Sequence, residues 1–321
     1  MVAVAVLDDQ EDRQKGGAVD VSVVIPAYLG ARTIAECLES VVRATRGRAR
    51  EIIVVESSGD AASEIVRQRF PEVVLIRAAG RLSAGAARNR GAAGALGRLV
   101  FFTDQDCIVP PDWIDQLSRH LSDPAVGAAG GAVGIRNPSN LSGCAVYFLE
   151  FLNHFPGKGS PRRDDNFLVG CNSAFPAHVL DVVRFPDQTI GEDVLLSDAL
   201  RTRNYGVVYD PRSEVLHYNR EGWGEFFNYN RKMGRASATY HHVLHRWWAV
   251  PFLRIPMLAF LAPVAILPSI ALRLARSRWS YFFRFLVLSP MCLAGNLVWA
   301  SAFRQQVLEM RAQVRTDNDA Q

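Results

Sequence analysis

An α/β fold built on a mainly parallel sheet, followed by C-terminal membrane-associated helices, is what this sequence predicts, and three observations carry the prediction. Short β-branched runs alternate with longer stretches of helical composition from Val21 onward, the pattern of βαβ units. Polar or carboxylate residues close the runs, at the strand ends where open sheets of this class bind ligands. Two late stretches, Ile255 to Leu272 and Phe285 to Phe303, contain no charged residue, and each is close to the roughly 20 residues that cross a bilayer.

The first 20 residues begin with a short apolar stretch, Met1 to Leu7, which lacks a basic start and runs into Asp8, Asp9, Glu11 and Asp12. That pattern predicts a disordered N-terminal tail rather than a signal peptide. Four strands are expected at Val21–Ile25, Glu51–Val55, Val73–Ile76 and Arg98–Thr103. Their uniform apolarity suits strands covered on both faces, with right-handed helical crossovers between them, among them Ala31–Thr45 and Ser83–Leu96. The four runs lead in turn into Pro26-Ala27-Tyr28, Glu56-Ser57-Ser58-Gly59-Asp60, the Ala78–Ser83 turn and Asp104-Gln105-Asp106. Residues 125–218 are less periodic: a glycine-rich strand carries Gly127, Gly130, Gly131 and Gly134, a charged loop spans Lys158–Asp165, and a strand-like run spans Phe167–Phe175. This part is expected to complete the sheet, so one domain is expected over 21–220. Residues 221–248 interleave aromatic and basic side chains, among them Trp223, Arg231, Lys232, Trp247 and Trp248, an interfacial helical segment. Two hydrophobic membrane segments over 249–304 and a tail over 305–321 complete the organisation.

Composition narrows the partners. A formal charge of +4 over 321 residues, with the arginines concentrated late rather than in one basic block, argues against a nucleic-acid partner. The five cysteines form no C-x-x-C pair and are odd in number, which fits a reducing, cytosolic environment.

Asp104 and Asp106 flank Gln105 directly after Leu99-Val100-Phe101-Phe102 and Thr103. A D-x-D pair at a strand end can offer hard oxygen ligands to Mg²⁺ or Mn²⁺, and such a cation neutralises a diphosphate leaving group. A strand-end turn with solvated aspartates is the alternative. Glu192-Asp193 comes after Gly191 and opens an apolar helical pattern, where acidic residues also belong simply to satisfy the free N–H groups of the first turn.

Taken together, Val23-Val24-Ile25-Pro26-Ala27-Tyr28, Ile52 through Asp60, Gly85-Ala86-Ala87-Arg88-Asn89-Arg90-Gly91, Phe102-Thr103-Asp104-Gln105-Asp106 and Gly191-Glu192-Asp193 resemble, in order, the family 2 inverting glycosyltransferases of GT-A fold. The resemblance covers about residues 20–220 and rests on the agreement of five motifs rather than on any one. It implies a Rossmann-like GT-A domain, a nucleotide-diphosphosugar donor and inversion at the anomeric carbon. By that resemblance Pro26, Ala27 and Tyr28 border the nucleotide, Glu56 contacts the base, Asp104 lies near the nucleoside, Arg88 fixes the nucleotide and Asp106 holds the metal. Asp193 resembles the general base, removing the acceptor hydroxyl's proton as its oxygen attacks. His217 resembles a position where some relatives place a metal- or phosphate-contacting histidine; a structural role is the alternative. Arg231 and Lys232 clamp the diphosphate or contact lipid headgroups. Three departures stand out: Leu29 replaces a common Asn, Glu56 a common Asp, and no Q-x-x-R-W motif of processive synthases is present, which argues for adding one sugar at a time.

Pro256, Pro263, Pro268 and Pro290 interrupt the late apolar stretches and predict kinked or re-entrant helices. A simple hairpin would export the connector that carries Arg273, Arg276, Arg278 and Arg284, against the positive-inside tendency. A shallow hairpin keeps every charge on one side, and the number of spans stays open. The expectation is a catalytic domain facing the cytosol at the cytoplasmic membrane, with a lipid-linked or envelope glycan as acceptor. Two other functions compete: a catalytically degenerate, membrane-bound nucleotide-sugar binding protein, and a sugar nucleotidyltransferase. The first has no use for Asp193 as a base. The second would carry a Gly-rich, Lys-containing fingerprint near the first strand, where this chain has none.

Overall fold

The computed structural model describes residues 19–163, 168–187 and 190–319. The tail expected over 1–20 lies outside them up to residue 18, as do Asp164 and Asp165 of the charged loop and Phe167. The described chain divides into two compact units, one formed by residues up to Ala132 with Ser160–Leu216, the other by Val133–Gly159 with the residues from His217 onward.

The first unit begins with strand β1 (Val21–Ala27), helix α1 (Ile34–Ala44), β2 (Arg50–Glu56), α2 (Ala62–Arg69), β3 (Val74–Arg77), α3 (Ala84–Ala93) and β4 (Leu99–Phe102). β1 pairs in parallel with both β2 and β4, and β2 with β3. The crossovers expected from the apolar runs are therefore present. α1 places Ile34, Cys37, Leu38 and Val41 on its buried face, the i, i+3, i+4, i+7 spacing of an amphipathic helix. α3 is rich in Ala and Gly. Its closeness to the sheet is set at Gly91, where a Cβ would fall 2.3 Å from a methyl of Val24.

The rest of the sheet comes from the irregular middle section: β5 (Cys107–Ile108), α4 (Trp113–Ser118), β6 (Val126–Ile135), α5 (Leu141–Glu150), β7 (Arg162–Arg163), β8 (Ser173–Pro176), α6 (Ala177–Val182), α7 (Glu192–Thr202) and β9 (Gly206–His217). The sheet order is β3-β2-β1-β4-β8-β6-β9-β5, with β7 beside β9. β8 runs antiparallel to β4 and to β6, so a parallel half passes into a mixed half. The run expected to begin at Phe167 is a strand only over its end, because Leu168 to Asn172 form a loop that turns back toward the sheet. Buried Asn172 holds that loop: its Oδ1 accepts from Trp113 Nε1 at 2.9 Å, and its Nδ2 donates to the carbonyls of Ala132 (2.8 Å) and Ser213 (2.9 Å). A buried amide is tolerated when its donors and acceptor are matched in this way. Phe102 anchors the core beneath the sheet's carboxyl end, packing edge-on against Phe175 and Phe185.

In the second unit α5 packs with α8 (Trp223–Leu244) and α11 (Trp279–Asp319), and the unit also holds α9 (Val250–Arg254), a short 3₁₀ turn (Pro256–Leu261) and α10 (Ala262–Ser277). Two stretches, Pro256–Ser277 and Trp279–Gln313, are long and apolar enough to cross a membrane. Pro268 lies inside α10 and Pro290 inside α11. α11 remains helical through most of the segment expected as a tail from 305 onward.

Candidate active site

Helix α3 begins where Ser83 accepts a hydrogen bond from Ala86 N–H at 3.1 Å, a side-chain N-cap. That start fixes where Arg88 and Asn89 point. Asn89 exchanges two hydrogen bonds with the backbone of Phe185, at 2.7 and 3.0 Å, and so ties α3 to the segment that leads into α7. Arg88 is buried. It donates to Asp104 Oδ1 at 2.7 Å and to Glu192 Oε1 at 2.9 Å, its guanidinium over the ring of Phe185. Burial by itself would lower its pKa, but the facing carboxylates of Asp104 and Glu192 outweigh that and raise it. Gly170 makes room for the group, since a Cβ there would lie 2.5 Å from Arg88 Cζ.

Arg88 thus joins two motifs that the chain keeps far apart: the D-x-D turn after β4 and the acidic first turn of α7. α7 starts after Gly191, whose φ of 89° is one that glycine adopts without strain. Asp193 lies in the first turn, with Oδ1 accepting from Val194 N–H at 2.9 Å. Burial and the neighbouring Glu192 carboxylate raise its pKa to about 7, against the pull of Arg88. A carboxylate poised near neutrality can exchange a proton at physiological pH. The first-turn placement of Glu192 and Asp193 also meets the simple helix-start reading.

The D-x-D turn is braced from two sides. Cys37 on α1 donates its thiol to the Asp104 carbonyl at 3.3 Å; burial holds that thiol protonated, well above its usual pKa. Gln105 exchanges two bonds of 2.8 Å with the backbone of Tyr28, locking the end of β1 to the end of β4. Asp104 and Asp106 are both half-buried at this edge. Their carboxylate oxygens are the ligand type that hard divalent cations take, so the donor set fits such an ion.

At the end of β2, buried Glu56 accepts from Ser58 N–H, Ser58 Oγ–H, Gly59 N–H (2.9 Å) and Ser63 Oγ–H (3.1 Å). Burial would raise its pKa, yet these bonds outweigh burial and lower it. Four donors satisfy the usual acceptor positions of a carboxylate. The turn it holds then reaches across to β1: Ser58 Oγ accepts from Leu29 N–H at 2.9 Å, and Asp60 Oδ2 from Ala31 N–H at 3.0 Å. Tyr28 lies exposed beside them with Arg81 over its ring at 4.6 Å. Pro26, Ala27, Tyr28, Glu56, Arg88, Asp104, Asp106 and Asp193 all belong to the first unit.

The remaining predicted residues belong to the second unit. His217 ends β9, buried, with Nδ1 3.1 Å from Asn219 Oδ1 and its ring against Phe151. Arg231 and Lys232 are exposed on α8. The sequence gives no role to Gln105, Cys37, Gly170 or Asn89, each of which the structure puts to use. Gln105 and Asn89 stand inside recognisable motifs, whereas nothing local marks Cys37 or Gly170.

Comparison with known proteins follows the same outline. The glycosyl transferase family 2 model matches residues 22–184, just over half of the chain. A glycosyltransferase of Haloferax volcanii, AglE, is 31% identical over 132 residues, which cover 40% of this chain and 43% of that protein. An N-acetylglucosaminyltransferase of Rhizobium sp. is 32% identical over 129 residues, covering 37% of this chain and 28% of its own length. The alignments thus span less than half of these curated relatives. Among solved structures, a Pyrobaculum calidifontis mannosyltransferase in complex with GDP-Man and Mn²⁺ aligns over 90% of this chain and 84% of its own, with a TM-score of 0.55 at 20% identity. GalNAc-T7 with UDP, GalNAc and Mn²⁺ aligns over 64% of this chain and 45% of its own, with a TM-score of 0.51 at 19% identity. Those likenesses establish the fold as GT-A, mixed and mostly parallel. With its family model matched from the first strand through the end of β8 and beyond, this chain belongs to glycosyl transferase family 2.

Proposed function

We propose that this chain is an inverting glycosyltransferase. It moves one sugar from a nucleotide-diphosphosugar to a hydroxyl of a lipid-linked or envelope glycan, with Asp193 as general base. The observation that carries the reading is Arg88: one buried guanidinium holds Asp104, at the donor end of the sheet, and Glu192, next to Asp193. Donor-binding and proton-accepting carboxylates are thereby set in one rigid frame, which an inverting displacement requires.

Asp193 takes the proton of the acceptor hydroxyl as the oxygen attacks the anomeric carbon. Asp104 meets the nucleoside, and Asp106 would hold a divalent cation, Mg²⁺ or Mn²⁺, for which the family resemblance also assigns His217. When bound, that cation neutralises charge on the departing diphosphate. Glu56 acts on the base through the turn it shapes, presenting Ser58 and Asp60 beside Tyr28 and the Pro26-Ala27 backbone. The cationic groups assigned to the phosphates are Arg231 and Lys232. The solved mannosyltransferase and GalNAc-T7 carry nucleotide or nucleotide sugar with Mn²⁺, which supports a donor and metal of the same class. The two long apolar helical stretches support membrane attachment, with the catalytic domain on the cytosolic side where nucleotide sugars are made.

The test is Asp193→Asn. Sugar transfer should fall by about 10²- to 10⁴-fold, the usual contribution of a positioned base, while metal-dependent donor binding persists. Unchanged turnover overturns the assignment. Donor binding by the unaltered protein with no transfer to any acceptor would favour the degenerate binder instead.

A further inference from the structure

The two long apolar stretches pass the length test for crossing a bilayer, yet what packs along α11 conflicts with crossing. Near its start, Tyr281 and Phe285 meet Tyr147 and Phe148 of α5, and Arg284 donates to the Pro138 carbonyl. The loop there is polar: Asn137 Nδ2 donates to the Asn219 carbonyl at 3.0 Å and to Glu221 at 3.1 Å. Further on, α11 lies directly on α8. A Cβ on Gly295 would sit 2.4 Å from the Phe226 ring, and one on Gly234 would sit 2.2 Å from the Trp299 carbonyl. Exposed Glu225, Arg231 and Lys232 of α8 therefore lie level with residues 295–299, well inside the charge-free stretch. If α11 crossed a bilayer, these charges would lie within its hydrocarbon, where ionised side chains are costly and rare.

The opposite face of α11 is different. Phe283, Leu286, Val287, Leu293 and Leu297 are exposed and form one helical stripe about 21 Å long at ~1.5 Å per residue. On α10, Val264 and Leu272 are exposed as well. Along α11 the stripe runs from exposed Trp279 at its start to exposed Arg304 beyond its far end, and exposed Arg273 and Arg276 lie in the last turns of α10, next to the connector. An apolar face edged with arginine and tryptophan is the chemistry of a helix lying in the interface of an anionic leaflet.

We propose that α10 and α11 do not cross the membrane. They lie in one leaflet, the stripe in the acyl boundary, the arginines on anionic phospholipid headgroups, and α5 and α8 on the aqueous side. This rests on the membrane attachment proposed above and specifies its form. The partner is a bilayer surface, and the connector and C-terminal part of α11 stay on the side of the catalytic unit.

Side-specific labelling of the full chain tests this. All five native cysteines are buried, so their background is low. Ser280→Cys reports the connector, Gln305→Cys the far end of the stripe and Ser122→Cys the catalytic unit; all three positions are exposed. In sealed right-side-out and inside-out vesicles, an impermeant maleimide should label all three from the same side. Labelling of Ser280→Cys and Gln305→Cys from opposite sides overturns the inference and leaves membrane attachment intact. The double variant Val287→Glu with Leu293→Glu should partition onto phosphatidylcholine–phosphatidylglycerol vesicles about tenfold less or weaker, the scale of losing one buried aliphatic side chain; unchanged partition also overturns it. A protein that stays soluble as a dimer, with a second copy covering the stripe, overturns both the inference and the attachment.

Discussion

Arg88 bears on stability as directly as on chemistry. Replacing it with Met leaves Asp104 and Glu192 facing one another without the charge that both accept from. Breaking a buried ion pair from one side costs about 3–5 kcal/mol, so Arg88→Met should lower denaturant stability by that order and weaken donor binding together. Asp193 gives a pH signature. In the proposed role of base it would work only when ionised, so the transfer rate should rise with pH through about 7 and level off above; a flat profile across the neutral range would remove it from that role. Its stability contribution runs the other way. A carboxyl whose pKa is higher folded than unfolded favours the fold while protonated, an advantage lost as pH climbs from its ordinary 3.8 through about 7. Leu29 is a local conflict, already marked in the sequence as a departure from the family pattern. It is 65% exposed with φ of 54°, a left-handed conformation that strains a bulky side chain but suits Asn. Leu29→Asn should therefore raise stability by about 1 kcal/mol, read as a shift in the denaturation midpoint.

Among elements, the parallel half of the sheet is legible because each strand is a short apolar run closed by a polar turn. β1 through β4 appear within one or two residues of expectation. β6 is visible through its glycines, although periodicity gives no reason for them. The reason is proximity: a Cβ on Gly131 would lie 2.1 Å from the Ser213 carbonyl. β8 is shorter than its sequence suggests because Leu168 to Asn172 are nearly as apolar as a strand, while Asn172 bends them into a loop by bonding to Trp113 and two carbonyls. The α8–α11 contact is not legible at all. It depends on Gly234 and Gly295, which let two helices approach. Gly234→Ala should force them apart, since its methyl would meet the Trp299 carbonyl at 2.2 Å; a loss of about 1–3 kcal/mol should appear as a lower melting point of the detergent-solubilised protein.

The whole molecule should respond to its ligands. A cation and a donor that bind only the native state raise the melting temperature, by about 2.7 kcal/mol of stability at a hundredfold excess over Kd. A panel of nucleotide sugars, each with Mn²⁺ and with chelator, should show one donor whose stabilisation needs the metal. Loss of that coupling in Asp106→Asn would place the ion at the D-x-D turn, and stabilisation that survives chelator would remove the cation from donor binding.

The sequence by itself determined the order of strands and turns, the carboxylates at their ends and the presence of long apolar helices, because apolar period and turn chemistry act over a few residues. Only tertiary structure decided that one arginine serves both Asp104 and Glu192, that Glu56 is spent on its own turn, and that residues 133–159 pack with the C-terminal helices. It also decided which side of α11 is covered. The physical reason is largely common to them: all but the Glu56 turn depend on groups brought together across many residues of chain, and no local pattern records which buried charge or helix face will find its partner there. At Glu56 the partners are close in sequence, but only burial at the strand end decides that the carboxylate turns inward to them.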